Sequence, residues 1–154
     1  MSAEQRILEL GIQLPAAKPP AGNYVSLIQT GNLLFTSGRA PQAVDGSPAK
    51  GRLGQEYSVS DGYALARSAC IDLLAVLKQQ LGSLDRISRF IELHGAICAI
   101  PEFEQHAEVL DGASDLLVEV FGPAGVHVRS VIGVSSLRNG VPLTVRATVE
   151  VESV

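Results

Sequence analysis

Residues 142–152, PLTVRATVEVE, decide the fold class because apolar and polar side chains alternate along the whole stretch. In a β-strand, successive side chains point to opposite faces of the sheet. One face of this strand is apolar and comprises Leu143, Val145, Ala147, Val149 and Val151. The other face comprises Thr144, Arg146, Thr148 and Glu150. The pattern predicts a sheet with one face packed against helices and a second face that is either exposed to solvent or packed against a partner.

Two helices are predicted to cover the apolar face. The first begins at Ser58, where Asp61 completes a capping-box-like pattern, and its apolar residues recur at helical spacing until Gly82. The second is predicted to begin at Pro101, because proline suits the first position of a helix, and to end before Gly122.

Strands account for most of the remaining sequence. YVSLIQT and NLLFTSG predict a hairpin near the start, residues 86–99 predict a strand, and Asn139-Gly140 predicts a hairpin turn between the last two strands. The order β-β-α-β-α-β-β favours an α+β fold with two layers, in which both helices lie on one face of the sheet. Residues 1–19 are predicted to form a short helix and a proline-rich arm, and residues 20–154 a single domain.

The composition disfavours several classes of function. The net charge is −4 and Lys and Arg are not clustered, so the chain lacks the basic patch that nucleic-acid binding requires. No apolar run reaches the length of a membrane span, and the N-terminus does not resemble a signal peptide, so we expect a cytoplasmic protein. Cys70 and Cys98 are far apart and form no CxxC motif, which favours reduced core thiols over a metal site.

Arg129 interrupts the predicted strand VHVRSVIGV, residues 126–134, with a permanent charge. Strand alternation groups Arg129 with Val131 and Gly133, and we expect this group to share the polar face of the neighbouring strand. Gly133 is expected to leave room for another backbone or a ligand. Two interpretations of Arg129 stay open: an ion pair with Glu150 across a hairpin, or a binding site for a carboxylate.

The chain resembles the Rid family, also called the YjgF or L-PSP type, over residues 20–152. The resemblance is carried by GNYVSLIQTGNLLFTSGRAP (22–41), a YxxAR helix (63–67) and VRSVIGVSSLRNGVPLTVRATVEV (128–151). The segment LELGIQLPAAKPP resembles the N-terminal extension that one subgroup of the family carries. The resemblance implies a chorismate-mutase-like fold and a homotrimer with a cleft between each pair of subunits. It implies no cofactor.

The resemblance also implies a site for small carboxylated metabolites, the 2-imino acids. Arg129 would bind the substrate carboxylate and Tyr24 would donate or relay a proton. Ser37 and Gly38 would line the same cleft, and backbone groups near Arg39 and Val131 would position the attacking water.

Two departures from the family pattern bear on this chemistry. Val131 replaces a cysteine that is often found two positions after the arginine, and Thr144 replaces a carboxylate that orients the water in deaminating members. Asp111 and Glu150 are the acids that could substitute. Arg146 also occupies a position that is often acidic. His94, His127 and Arg39 are weaker candidates: His94 is expected to be structural, and the other two to lie in solvent or at an interface.

Three functions follow as hypotheses from this resemblance. The first is hydrolysis of imine or enamine intermediates. The second is a trimer that binds a metabolite in the same cleft without catalysis, because threonine cannot take a proton from water near neutral pH. The third, ribonuclease or translation-inhibitor activity, is disfavoured by the acidic charge balance.

Overall fold

The computed structural model describes residues 1–42 and 47–153 of the chain. Its helices and strands are, in order, α1 (Ala3–Glu9), β1 (Leu27–Thr30), β2 (Leu33–Thr36), α2 (Val59–Leu81), β3 (Ile87–Cys98), α3 (His106–Phe121), β4 (Val128–Val134) and β5 (Leu143–Val151). Short 3₁₀ turns precede β3, follow α3 and separate β4 from β5. No helix within the described ranges is long and apolar enough to cross a membrane.

The five strands form one mixed sheet in the order β1-β2-β5-β3-β4, which confirms the predicted α+β class. The hairpin of β1 and β2 is confirmed, with Thr30 opposite Leu33 and Gly31 in the left-handed region at φ 58°. Strand β4 runs parallel to β3, and the other pairs are antiparallel. A parallel pair needs a crossover connection, and α3 lies between β3 and β4 in the chain.

The predicted hairpin between the last two strands is wrong, because β3 lies between β4 and β5 in the sheet. Asn139 and Gly140 do adopt left-handed φ angles of 57° and 71°, as a tight turn requires. That turn lies in a 3₁₀ segment, Arg138–Gly140, which carries the chain past β3 rather than folding β5 back onto β4. The local turn signal was therefore correct, but the strand pairing inferred from it was not.

Helix α2 begins and ends as predicted. Ser58 and Asp61 cap each other's backbone N–H groups, and Gly82 follows the helix in the left-handed conformation. Helix α3 begins at His106 rather than at Pro101. Residues before it are held by backbone bonds to another segment, since the Ile100 N–H donates to the Leu53 carbonyl at 3.1 Å.

The helices pack on the apolar face of the sheet. All five apolar side chains of β5 that the alternation grouped together are buried there. Helices α2 and α3 touch closely at Gly112, where an added Cβ atom would lie 2.0 Å from the Tyr63 carbonyl oxygen. Cys70 lies in this core, and burial raises the pKa of its thiol to about 12, so it stays protonated at neutral pH.

Helix α1 docks onto this helical layer. Ile7 is buried in the core cluster, and Glu4 forms an ion pair with Lys78 of α2 at 2.9 Å. The other Glu4 oxygen accepts a hydrogen bond from the Leu84 backbone N–H at 2.9 Å. The N-terminal segment is thus joined to α2 and to the turn that precedes β3.

Candidate functional site

Arg129 lies on the helix-covered side of β4, not on the face that it was predicted to share with Arg146. Its register partner in β3 is Leu93, which is fully buried. The Arg129 guanidinium reaches α3, where Nη1 lies 2.9 Å from Asp111 Oδ1. Nη1 also donates to Ser114 Oγ at 3.1 Å, and Nη2 donates to the Ala107 carbonyl at 3.3 Å. Arg129 therefore forms an ion pair, as one of the two interpretations predicted, but its partner is Asp111 and not Glu150.

Glu150 is not a neighbour of Arg129, and the predicted pair between them is wrong. Its register partners are Leu33 on β2 and Arg89 on β3, and β3 separates β5 from β4. Of the two acids considered as substitutes for the missing carboxylate, the structure brings Asp111 alone to the arginine. The Arg129 and Asp111 side chains are 26% and 45% exposed, so this pair meets solvent.

Arg129, Asp111 and Val131 form the first of two groups, which we call the edge half-site because β4 is the edge strand. Val131 follows Arg129 on the same face of β4 and packs against the core. Gly133 comes next, and an added Cβ atom would lie 2.5 Å from His106 Nε2. The room that Gly133 leaves is thus occupied by an imidazole ring, not by a backbone or a ligand.

The second group, which we call the open-face half-site, lies on the sheet face that the helices do not cover. Gly38 and Thr144 meet here, since an added Cβ atom on Gly38 would lie 3.7 Å from the Thr144 Cβ. They line a cleft of about 330 Å³ together with His94, Gly95, Ala96, Ser130, Ile132 and Arg146. The Arg146 guanidinium forms no hydrogen bond or ion pair with the residues that the structure describes.

A chain of polar contacts crosses this face. Ser130 Oγ lies 2.5 Å from His94 Nδ1, and His94 Nε2 lies 3.0 Å from Glu92 Oε1. The Thr148 hydroxyl donates to the same Glu92 oxygen at 3.1 Å. The hydrogen bond from His94, with that from Thr148, holds the pKa of the Glu92 carboxyl below its usual value.

Sequence reasoning missed His94 and Ser130 as a functional pair. The structure places them directly opposite each other because β3 and β4 are parallel neighbours. The alternation gave no signal for Ser130, because the other residues on its strand face are apolar: Val126, Val128, Ile132 and Val134. Its position opposite His94 depends on β3 and β4 being neighbours in the sheet.

Three predicted site residues lie outside both half-sites. Tyr24 is exposed, and its hydroxyl accepts a hydrogen bond from the Ala21 N–H at 3.3 Å. The Ser37 hydroxyl donates to the Ser26 carbonyl at 3.2 Å, which links the two open ends of the β1–β2 hairpin. Arg39, expected in solvent or at an interface, is instead largely buried, with Nε 2.5 Å from Asp72 Oδ2.

His127 is likewise held within the chain. Its Nε2 lies 2.9 Å from Ser114 Oγ and its Nδ1 lies 2.6 Å from the Gly125 carbonyl oxygen. Ser114 Oγ also accepts a hydrogen bond from Arg129, so His127 helps to hold Ser114 in contact with the edge half-site.

Comparison with known proteins identifies the chain's relatives. Residues 4–144 match the family model described as "YjgF/chorismate_mutase-like, putative endoribonuclease". The chain belongs to this family. It is 39% identical over 145 residues to Protein TCP17 of Trypanosoma cruzi, covering 94% of this chain and 91% of that protein.

Two crystal structures match the fold of this chain closely. A protein of Shewanella oneidensis, titled "putative endoribonuclease", has a TM-score of 0.94 at 35% identity, with 98% of this chain and 100% of that chain covered. Atu1372 of Agrobacterium tumefaciens, of unknown function, has a TM-score of 0.89 at 34% identity, with 97% and 92% covered. The resemblance read from the sequence is confirmed at the level of family and fold.

In this YjgF-family chain, the five predicted site residues of the two half-sites thus divide between two faces of one sheet. Arg129, Asp111 and Val131 lie on the helix-covered side at the edge strand, and Gly38 and Thr144 lie on the open face. A single sheet separates the two groups within one chain. They could form one cleft only if the edge of one protomer packed against the open face of another.

Proposed function

We propose that the protein hydrolyses small carboxylated imines or enamines, in clefts between the subunits of a homotrimer. The reaction adds water across the carbon–nitrogen double bond of a 2-imino acid and releases ammonia and a 2-oxo acid. Family membership supports the reaction class, because Rid-family members hydrolyse imines. The observation that carries the proposal is the Arg129–Asp111 pair, solvent-accessible at the edge of the sheet.

The division of the site between two faces supports the trimer. Each inter-subunit cleft would receive the edge half-site of one protomer and the open-face half-site of the next. Large apolar side chains remain exposed on the open face at Ile28 and Phe35, which are register partners in the β1–β2 hairpin. Contiguous exposed apolar surface is typical of a subunit interface.

An incoming substrate carboxylate has to compete with Asp111 for Arg129, and the energies favour the substrate. An exposed ion pair contributes only about 0–1 kcal/mol. Two charge-assisted hydrogen bonds from a guanidinium fork to a desolvated carboxylate contribute roughly 1.5–3 kcal/mol each. We therefore expect the substrate carboxylate to displace Asp111 from the guanidinium, while the hydrogen bonds to Ser114 and to the Ala107 carbonyl keep the arginine in place.

This exchange supplies the base that Thr144 cannot provide. Asp111 is released from Arg129 as an ionised carboxylate beside the bound substrate, where it accepts a proton from the attacking water. Thr144 and the backbone at Gly38, contributed by the neighbouring protomer, hold the water by hydrogen bonds. The chemistry requires no covalent intermediate.

The direct test is the hydrolysis of freshly generated 2-iminopropanoate and other 2-imino acids. An amino acid oxidase would generate the imine continuously in the assay, and the spontaneous hydrolysis rate without the protein would be subtracted. Ammonia and 2-oxo acid release would be compared for the wild type, Arg129→Ala and Arg89→Ala, the last being an exposed arginine on β3. Turnover on none of the imines, or equal turnover by wild type and Arg129→Ala, would refute the proposal.

A second candidate is a trimer that binds a carboxylated metabolite without turning it over. The presence of Thr144 in place of a carboxylate favours it. Such a protein would show a melting shift with small 2-oxo acids, lost in Arg129→Ala, together with no hydrolysis of any imine. Saturable hydrolysis would exclude it.

Endoribonuclease activity, which the family description names, has less physical support in this chain. Its net charge of −4 opposes binding to a phosphate backbone. Absence of RNA binding at low salt, where electrostatic attraction is strongest, would exclude this activity.

A further inference from the structure

We propose that Ser130 is an activated nucleophile, set up by His94 and Glu92, that takes the acyl group of small anionic esters or thioesters. This activity does not depend on imine hydrolysis, which needs no acyl-serine. It rests on three features of the open face: the hydrogen bonds among Ser130, His94 and Glu92, the pairing of the strands that carry them, and the cleft that Ser130 lines.

The direction of the hydrogen bonds follows from Glu92. Its carboxylate accepts from the Thr148 hydroxyl at 3.1 Å and lies 3.0 Å from His94 Nε2. An ionised carboxylate only accepts hydrogen bonds, so Nε2 carries the imidazole proton. His94 Nδ1 is then an acceptor, and the Ser130 hydroxyl at 2.5 Å donates to it. This is the logic of a serine–histidine–carboxylate triad, with the two ring nitrogens exchanged.

The strands hold these groups in place. His94 is paired directly with Ser130 of β4 in the parallel ladder, and Glu92 is paired with Thr148 of β5 in the antiparallel ladder. Each side chain therefore projects from the same face of three hydrogen-bonded strands. Sites built on strands keep their geometry more closely than sites built on loops.

The cleft of about 330 Å³ gives a substrate access to Ser130. Arg146 lines the same cleft and is paired with His94 across β3 and β5. Its guanidinium has no partner among the described residues, so it is free to bind an anionic group on the substrate. Thr144, also in the lining, offers a hydroxyl to the oxygen that becomes negative during attack.

The reaction proceeds in two balanced steps. Ser130 Oγ forms a bond to the acyl carbon while its proton passes to His94 Nδ1, and the leaving alcohol or thiol takes that proton as its bond to the acyl carbon breaks. Water then attacks the acyl-serine with His94 as base, releasing the carboxylic acid and restoring the Ser130 hydroxyl. The sum is one ester and one water converted into one acid and one alcohol.

A second serine–histidine pair in the chain provides an internal control. Ser114 Oγ lies 2.9 Å from His127 Nε2, but the other ring nitrogen faces the Gly125 carbonyl rather than a carboxylate. Ser114 Oγ also accepts a hydrogen bond from Arg129, which engages a lone pair that the oxygen would need for attack on an acyl carbon. We expect Ser114 to be unreactive under conditions that modify Ser130.

The experiment is covalent labelling of the full-length protein with diisopropyl fluorophosphate, a small reagent that phosphorylates activated serines with loss of fluoride. The intact mass should rise by one diisopropylphosphoryl group, and peptide mapping should place it on Ser130 and not on Ser114. Ser130→Ala should remove the label. His94→Gln and Glu92→Gln should slow labelling at least about tenfold, since the orienting carboxylate of a triad contributes strongly to nucleophile activation.

Glu92 acts through His94 and is a positioning residue, so its role needs a separate readout. Glu92→Asp keeps the charge and should restore part of the labelling rate that Glu92→Gln loses, while melting temperatures report whether either variant unfolds. No label at Ser130, or a labelling rate unchanged in His94→Gln, overturns the proposal. Imine hydrolysis is scored in a separate assay, so failure of either activity is distinguishable from failure of the other.

Discussion

Two arginine–aspartate pairs, Arg39–Asp72 and Arg129–Asp111, share the same chemistry but differ in their surroundings. The side chains of the first pair are 10% and 4% exposed, and those of the second are 26% and 45% exposed. Burial removes water as a competing partner, so the first pair cannot open without leaving a bare charge in the protein. The second pair can exchange partners with solvent or with a ligand, which makes it suitable for binding.

The largest expected effect is on the buried pair. Arg39→Met leaves the Asp72 carboxylate with Gln42 as its one side-chain partner among the described residues, and loss of one member of a buried pair costs about 3–5 kcal/mol of unfolding free energy. Urea denaturation monitored by circular dichroism would measure the loss. The double variant Arg39→Met/Asp72→Leu should recover most of it. A loss below about 1 kcal/mol in Arg39→Met would show that this pair behaves like an exposed one.

The second prediction concerns the accessible arginine. Arg129→Ala should lower kcat/KM for 2-imino acids by about 10³-fold, because two charge-assisted bonds to the substrate carboxylate are lost. Arg129→Lys should recover only part of this, since an ammonium group cannot form the planar fork. Initial rates of 2-oxo acid formation would measure both effects.

Arg89→Ala is the matched control for Arg129→Ala, because Arg89 is an exposed arginine on the adjacent strand β3. It should keep wild-type kcat/KM. A comparable loss in Arg89→Ala would mean that overall surface charge, rather than a bound carboxylate, governs the rate.

The third prediction separates the two proposed roles of Asp111. Asp111→Asn should lower kcat by about 100-fold, the lower range for loss of a general base, while KM stays the same or falls because the competitor for Arg129 has weakened. Its unfolding free energy should change by no more than about 1 kcal/mol, in contrast to the buried pair. Steady-state kinetics and urea denaturation would give the two values.

Asp115→Asn is the control on the same helix, since Asp115 accepts a hydrogen bond from the Tyr63 hydroxyl and is not bonded to Arg129. A kcat for Asp111→Asn equal to that of Asp115→Asn would remove Asp111 from the mechanism and leave it as a partner of Arg129 only.

Much of the fold could be predicted from the sequence because local patterns determined it. Alternation in β5 identified the face that the helices cover, and Ser58 and Gly82 marked the ends of α2. The sequence could not reveal that β3 lies between β4 and β5, because the turn at Asn139-Gly140 has hairpin geometry whether or not the flanking strands pair. Strand order depends on long-range packing, which a local turn signal does not report.

That one error explains why the predicted face and the predicted ion-pair partner of Arg129 were wrong. Assuming that β4 pairs with β5 assigned Arg129 to the open face and paired it with Glu150. The parallel partner β3 instead turns Arg129 toward α3 and Asp111, and brings His94 opposite Ser130. The candidate site residues came from the sequence and the resemblance, and their role in a site stays a prediction. Their partners depended on which strands are neighbours.

The smallest expected effect extends the comparison to Glu92, an acid whose partners are a histidine and a hydroxyl rather than an arginine. Its folded-state pKa is lowered from 4.5, so the stability it contributes is present above that value and is lost as the pH falls through the folded-state pKa. Urea denaturation at a series of pH values should therefore show Glu92→Gln less stable than the wild type at neutral pH, with the difference shrinking in acid. When Thr148→Val removes one of the two hydrogen bonds to Glu92, the loss of stability that Glu92→Gln causes at neutral pH should become smaller but should not vanish. A difference that stays constant with pH would mean that the Glu92 charge is not what His94 and Thr148 recognise.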